Sequence, residues 1–234
     1  MEYFSGIAGN ENLKEYFSAH LRGGRLAHAY LFVGPSGSGK TSFALALAAA
    51  MACRDTVHRP CGQCGNCRKI LRMQCADLTM ITADGDKAKS IKVDAIRQMK
   101  EDAEIFPNDL DFRVFLVDDA SDMNVQAQNA LLKLLEEPPE NVFLFLLASD
   151  PSRLLPTVLS RVQAFRMERL NRRQLEAYFE KDRQATAISA QNPVRYRQSL
   201  LLAGGSVGRA LLSTTTNGLF IAVISAATRF SASI

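Results

Sequence analysis

The stretch HAYLFVGPSGSGKTSFALALAAAMA, residues 28–52, decides the fold. HAYLFVG is short, almost wholly apolar and β-prone, the pattern of a strand buried on both faces. TSFALALAAAMA is rich in alanine and leucine and predicts a strong helix. Between them, GPSGSGKT (34–41) matches G-x-x-x-x-G-K-[ST] at Gly34, Gly39, Lys40 and Thr41. Glycines let backbone N–H groups turn inward onto a phosphate, and a helix N-terminus adds the positive end of its dipole. In such a loop the lysine reaches the β- and γ-phosphates and the threonine hydroxyl ligates Mg²⁺. The expected cradle is Gly34, Pro35, Ser36, Gly37, Ser38, Gly39, Lys40 and Thr41, holding ATP or ADP with Mg²⁺. A glycine-rich turn with no ligand is the competing reading; the strand before it and the helix after it weigh against that.

Outward from this loop, apolar runs alternate with helical patterns. FRVFLVDDA (112–120) and VFLFLLAS (142–149) predict two more buried strands, and VQAFRM (162–167) a further short one. Helices are expected over 11–22, over 92–106 up to Pro107, and through NALLKLLEE up to Pro138-Pro139. This alternation predicts an α/β fold, a parallel sheet covered by helices on both faces. After residue 168 only helical stretches are found. The expected division is an α/β nucleotide-binding domain over 1–167, a small helical lid over 168–213, and a tail over 214–234 with no assigned role.

Asp118 and Asp119 end the second apolar run. Ligands in open α/β sheets sit beyond the carboxyl ends of strands. One carboxylate there holds the water shell of Mg²⁺ and a second orients an attacking water. The alternative is that both merely open a loop and cap the next helix. Ser149 ends the third run, where a hydroxyl reaches a γ-phosphate or its attacking water, although serines at strand ends are common. Arg161 follows LLPTVLS; taken alone, such an arginine is a solvated charge.

All five cysteines, Cys53, Cys61, Cys64, Cys67 and Cys75, fall between residues 53 and 75. That clustering is unlike a disulfide framework and points to metal or redox chemistry. CGQCGNC contains two overlapping C-x-x-C units, and a glycine after each of the first two cysteines allows tight turns. Cys53, Cys61, Cys64 and Cys67 make a closed four-thiolate shell suited to structural zinc. A redox pair needs only two thiols and leaves the rest unexplained. Cys75 is expected to be a free thiol and is the competing choice of ligand.

The chain has 234 residues, 47% apolar and 22% charged, which excludes a disordered chain or a coiled coil as the main reading. The longest apolar run, Phe43 to Cys53, is too short to span a bilayer. The N-terminus lacks a basic segment followed by an apolar one, so a cytoplasmic protein is expected. The net charge of +4 is unevenly spread. Residues 76–150 carry 7 basic and 16 acidic side chains, and residues 151–234 carry 12 and 4. A basic segment meets either phosphates or an acidic neighbour in an assembly, and charge alone leaves both open.

Together, HAYLFVGPSGSGKT, PCGQCGNC, NALLKLLEEPPENVFLFLLAS and LPTVLSR resemble the bacterial clamp-loader ATPases of the AAA+ class, over roughly residues 6–212. The resemblance implies a P-loop AAA+ sheet with an inserted zinc module and a helical lid. It gives Lys40 and Thr41 the Walker A roles and Asp118 the Walker B role. Ser149 falls at or beside the sensor position. Arg161 becomes the arginine of a Ser-Arg-Cys motif, acting on ATP bound by a neighbouring subunit, and Cys53, Cys61, Cys64 and Cys67 fit the zinc ligands. The implied partners are other loader subunits in a hetero-oligomer, a sliding clamp, and primed-template DNA through the assembly, with no membrane. SIKVDAIRQMKEDAEIF and VDDASDMN are more similar to the delta-prime branch of the DNA polymerase III holoenzyme than to the tau/gamma motor branch.

Three positions depart from the family pattern. Asp119 stands where a catalytic glutamate is usual, Val162 replaces the cysteine of Ser-Arg-Cys, and Gly208 takes the place expected for a second sensor arginine, with Arg209 one residue away. The expectation is therefore nucleotide binding with weak or absent hydrolysis. The alternative is the hydrolysing tau/gamma-type motor, and the remote one an unrelated P-loop nucleotide kinase. The family's helical collar domain is not expected within these residues.

Overall fold

A computed structural model of the protein describes residues 3–83, 90–181 and 204–207. In chain order the elements are α1 (Glu11–Gly23), β1 (Ala29–Val33), α2 (Lys40–Met51), α3 (Gly65–Leu71), β2 (Leu78–Ile81), α4 (Val93–Ala103), β3 (Arg113–Val117), α5 (Val125–Glu136), β4 (Val142–Ala148), α6 (Pro156–Leu159), β5 (Gln163–Arg166) and α7 (Arg172–Lys181). The five strands form one sheet in the order β2-β3-β4-β1-β5, and every neighbouring pair is parallel.

The period of two along each strand divides the core. Tyr30, Phe32, Val114, Leu116, Phe145 and Leu147 face one side, where they meet Phe17 of α1 and Phe43 of α2. Leu31, Phe115, Val117, Leu144 and Leu146 face the other, against Ile96 and Met99 of α4 and Leu131 of α5. Both faces are dry, so the central strands read as unbroken apolar runs. Helix α2 is buried from Phe43 through Ala50. Its alanines allow it to lie close on the sheet.

Parallel strands send all their carboxyl ends to one edge. The chain leaves β1 for the far strand β2, then returns through β3 and β4 and crosses β1 to reach β5. The strand order therefore reverses around β1 and β4, where a crevice opens in sheets of this kind.

Three elements are absent from the sequence expectations, one of them the single-turn helix α6 (Pro156–Leu159). Strand β2 has only four residues, two of them half-buried. Helix α3 lies inside the cysteine segment and buries Cys67, Ile70 and Leu71. Helix α4 ends at Ala103, earlier than expected. Its last turn tightens through Glu104 N–H to Glu101 C=O and Ile105 N–H to Asp102 C=O. Pro107 disfavours helical backbone at the residue before it, so Phe106 leaves the helix. Of the expected lid, α7 and residues 204–207 are described. Gly208, Arg209 and the 214–234 tail lie outside the described residues. Among the described residues, no helix is long and apolar enough to cross a membrane.

Candidate nucleotide site and cysteine centre

The loop after β1 is held at both ends. Gly34 N–H donates to the Ala148 carbonyl at 3.0 Å, and Ser38 N–H to Pro35 at 3.1 Å. Gly37 and Gly39 sit at φ 80° and 88°, where any other residue is strained. A Cβ on Gly34 would come within 2.6 Å of the Met167 carbonyl, and one on Gly37 would collide with Ser206. Helix α2 begins at this loop with no capping side chain and no acidic residue in its first turn. Its leading N–H groups thus retain their full affinity for an anion. The buried Ser38 hydroxyl also has no protein partner. These features fit a phosphate.

Lys40 Nζ donates to the carbonyls of Gly34 at 2.7 Å and Pro35 at 3.3 Å. Burial lowers its pKa, against the opposing pull of Asp119 and Asp118. The charges of both aspartates that follow β3 thus reach the lysine. Those aspartates do not cap the next helix: Asn124 does, its Oδ1 accepting the Ala127 N–H at 2.8 Å. Asp119 itself occupies left-handed backbone, φ 51°. Its carboxylate accepts the Ser149 hydroxyl and the Ser149 N–H. Burial works to raise the Asp119 pKa, but the Ser149 bonds, Ser121 and the Lys40 charge bring it below the usual value. Ser121 secures the same corner, donating to the Asp150 carbonyl at 3.0 Å and accepting the Asp150 N–H at 3.2 Å. The cradle Gly34–Thr41, Asp118, Asp119 and Ser149 therefore converge beyond the carboxyl ends of β1, β3 and β4.

Arg161 lies elsewhere. It follows α6 and precedes β5, whose first residue pairs with Tyr30 near the start of β1. This is the amino-end edge of the sheet, roughly 15 Å of strand from the cradle. Its guanidinium pairs with Glu136 at 2.7 Å and donates to the Thr157 carbonyl at 2.9 Å.

The sulfurs of Cys53, Cys61, Cys64 and Cys67 all lie within 4.8 Å of one another. Cys75 is buried apart from them. Backbone N–H groups point at the sulfurs: Cys61 to Cys53 at 3.4 Å, Cys64 to Cys61 at 3.3 Å and Cys67 to Cys64 at 3.4 Å. Burial works to raise the Cys64 pKa, but the N–H groups of Arg54 and Cys67 bring it down to about 7. Burial pushes Cys53 and Cys67 up. Donors aimed at sulfur suit thiolates, and four converging sulfurs fit a tetrahedral ion.

Residues 9–171 match the family described as DNA polymerase III, delta subunit. The chain belongs to that family. It is 37% identical over 178 residues to DNA polymerase III subunit tau of Escherichia coli (strain K12), covering 76% of this chain and 27% of that relative. It is 34% identical over 168 residues to the tau subunit of Bacillus subtilis (strain 168), covering 71% of this chain and 29% of that one. The chain thus spans less than a third of the length of these two relatives. Its fold is similar to that of a DNA polymerase III gamma subunit-related protein from Thermotoga maritima, with a TM-score of 0.52 and 19% identity, over 87% of this chain and 58% of that chain.

The sequence did not single out three participants. Ser206 is buried against Gly37; its only signal is the Gly204-Gly205 turn before it. Ser121 and Glu136 act through contacts distant in sequence, which no local pattern reveals.

Proposed function

We propose that this chain is a nucleotide-binding subunit of a bacterial replicative clamp loader. In this reading it assists ATP-dependent loading of a ring clamp onto primed-template DNA, within a hetero-oligomer of loader subunits. The convergence of the Gly34–Thr41 loop with Asp118, Asp119 and Ser149, in a chain of this family, carries the proposal. Lys40 and the N-terminus of α2 would hold the phosphates, and Thr41 and Asp118 would hold Mg²⁺. When bound, Mg²⁺ supplies charge neutralisation at the phosphates. Cys53, Cys61, Cys64 and Cys67 would hold one structural zinc.

A delta-prime-like stator with little hydrolysis of its own fits Asp119, whose carboxylate is short and already bonded to Ser149. One observation favours the motor reading: the relatives cited above are tau subunits. Calorimetric titration with ATP and ADP tests the site. Lys40→Ala should abolish measurable affinity, and unchanged affinity removes the proposal. An ATPase assay with and without the companion subunits and primed DNA separates stator from motor.

A further inference from the structure

Between Glu15 and Asp77 the chain carries eight lysine and arginine residues and a single carboxylate, Asp55. That carboxylate is engaged locally, accepting the N–H groups of Val57 at 2.7 Å and His58 at 3.0 Å. Lys40 belongs to the nucleotide loop, and Lys69 is paired with Asp109 at 2.9 Å. Five of the remaining arginines gather around the cysteine centre. Arg22, Arg54, Arg68 and Arg72 are exposed, and Arg59 is half-buried.

Contacts join them into one surface. The Arg22 guanidinium lies 5.8 Å from the centroid of the Tyr3 ring, and the Tyr3 hydroxyl donates to the Thr56 carbonyl at 3.2 Å. Phe4 N–H donates to the Arg59 carbonyl at 2.7 Å. The Arg54 N–H points at the Cys64 sulfur, and Arg68 Nε donates to the Gln63 carbonyl at 2.7 Å. Arg72 follows Arg68 by one turn at the end of α3. Helix α2 separates this surface from the nucleotide loop by about 18 Å, twelve residues at about 1.5 Å each.

Like charges held side by side repel, and a polyanion relieves that repulsion. Guanidinium forks take phosphate oxygens in pairs, and each phosphate met releases its condensed counterions. Single strands are held where a basic groove is combined with aromatic rings on which bases stack. Tyr3, the ring that these contacts place on the surface, is covered by Arg22 and tied to Thr56. What is left is phosphate contact without stacking, which suits a duplex.

We propose that Arg22, Arg54, Arg59, Arg68 and Arg72, arrayed around the cysteine centre, form a sequence-independent binding surface for the phosphate backbone of duplex DNA. The choice of DNA over an acidic protein segment rests on the clamp-loader reading, and the inference adds to that reading a direct DNA contact remote from the nucleotide.

The test is fluorescence anisotropy of a short labelled DNA duplex titrated with the full chain over a series of salt concentrations. The logarithm of the affinity should fall against the logarithm of salt with a slope of roughly −3.6 to −4.5, four or five phosphates at about −0.9 each. Arg54→Glu with Arg68→Glu should weaken binding at least ~10-fold and flatten the slope by about 2. Arg68→Gln with Arg72→Gln tests the same surface without charge reversal and should flatten the slope by a similar amount. Both pairs should keep the wild-type melting temperature and ATP affinity. Arg172→Glu with Arg173→Glu, an equal charge change at exposed positions of α7, should leave duplex binding and its slope unchanged. Equal weakening by the α7 pair overturns the proposal, since net charge and not this surface is then at work. A single-stranded oligonucleotide of the same length that binds more tightly than the duplex overturns it too, as does polyglutamate that binds more tightly than either. If ATP binds and the duplex does not, this inference falls and the clamp-loader reading stands; if ATP does not bind, that reading falls first.

Discussion

The Ser149 hydroxyl lies 2.8 and 3.1 Å from the two carboxylate oxygens of Asp119 and donates to them. The Ser149 N–H adds a third contact at 3.2 Å. Two side chains at the ends of β3 and β4, both expected to attend a γ-phosphate, thus attend each other. Asp119 is thereby held in left-handed backbone with its acceptor capacity partly used. A carboxylate so engaged orients a water poorly, which is the physical reason for expecting slow turnover.

The same contact gives a pH dependence. The Asp119 pKa is lowered from 3.8, so its contribution to stability is present above that pH. It is lost as pH falls through the lower folded value. Ser149→Ala removes the hydroxyl and should move the folded pKa upward, so the contribution is smaller and its loss is complete at a higher pH. A carbon-13 titration of the Asp119 carboxyl reads this directly. An unchanged midpoint in Ser149→Ala would show that the hydroxyl does not bond the carboxylate in solution.

Ser206 lies where a side chain on Gly37 would go. Gly37→Ala should therefore do two things. It places a Cβ at φ 80°, a cost of roughly 1–2 kcal/mol, and it drives Ser206 off the loop. Ser206→Gly in the same chain should recover the second part but not the first. Thermal unfolding of the two single variants and the double variant isolates the coupling. Additive effects would mean that residues 204–207 do not rest on the loop.

The elements around these contacts differ in how far the sequence revealed them. Strands β1, β3 and β4 are buried on both faces, so each is an apolar run that stands out. Strand β2 is not, because Thr79 and Met80 are half-buried and the strand follows Cys75-Ala76-Asp77 directly. Helix α3 escapes because Gly65, Asn66 and Cys67 are poor helix formers. What fixes it is tertiary: Cys64 caps it through its sulfur, and Ile70 and Leu71 enter the core. Asp77 and Arg113 are charged residues that local pattern assigns to the surface, and only the folded chain shows them buried together. The phosphate loop was legible because its chemistry is local, whereas the Ser149–Asp119 contact joins segments brought together by the sheet order.

Metal content separates the four converging sulfurs from the fifth. Purified protein should carry about one zinc per chain, as a closed tetrahedral site requires. Cys64→Ser should lower that content and loosen α3, since Cys64 is both a proposed ligand and the cap of that helix. Cys75→Ser should leave zinc in place. Chelation should destabilise the wild-type chain by a larger margin than it does Cys64→Ser. Equal zinc loss in the two variants would mean that the ligand set is wrong.

Arg161 provides the last prediction. Its partner Glu136 closes α5, and both lie at the amino-end edge of the sheet, away from Lys40 and Asp119. An arginine there has no path to its own nucleotide loop. If the chain assembles as proposed, that edge is free to meet a neighbouring subunit, whose γ-phosphate a planar guanidinium would neutralise as charge develops. The ion pair with Glu136 is half-exposed at both ends, so its contribution to stability is about 0–1 kcal/mol. Arg161→Ala should therefore leave the melting temperature and this chain's own ATP affinity nearly unchanged. It should lower the clamp- and DNA-stimulated ATPase of the assembled loader, by less than the ~10³–10⁵ seen where one arginine finger serves the only site. Glu136→Gln breaks the same ion pair but keeps the guanidinium, so it should leave that rate at or above the wild-type value while Arg161→Ala lowers it; a purely structural pair would make the two variants alike. The measurement is made on a complex shown by sedimentation to be fully assembled. If Arg161→Ala assembles normally and hydrolyses ATP at the wild-type rate, Arg161 is a surface charge paired with Glu136 and nothing more.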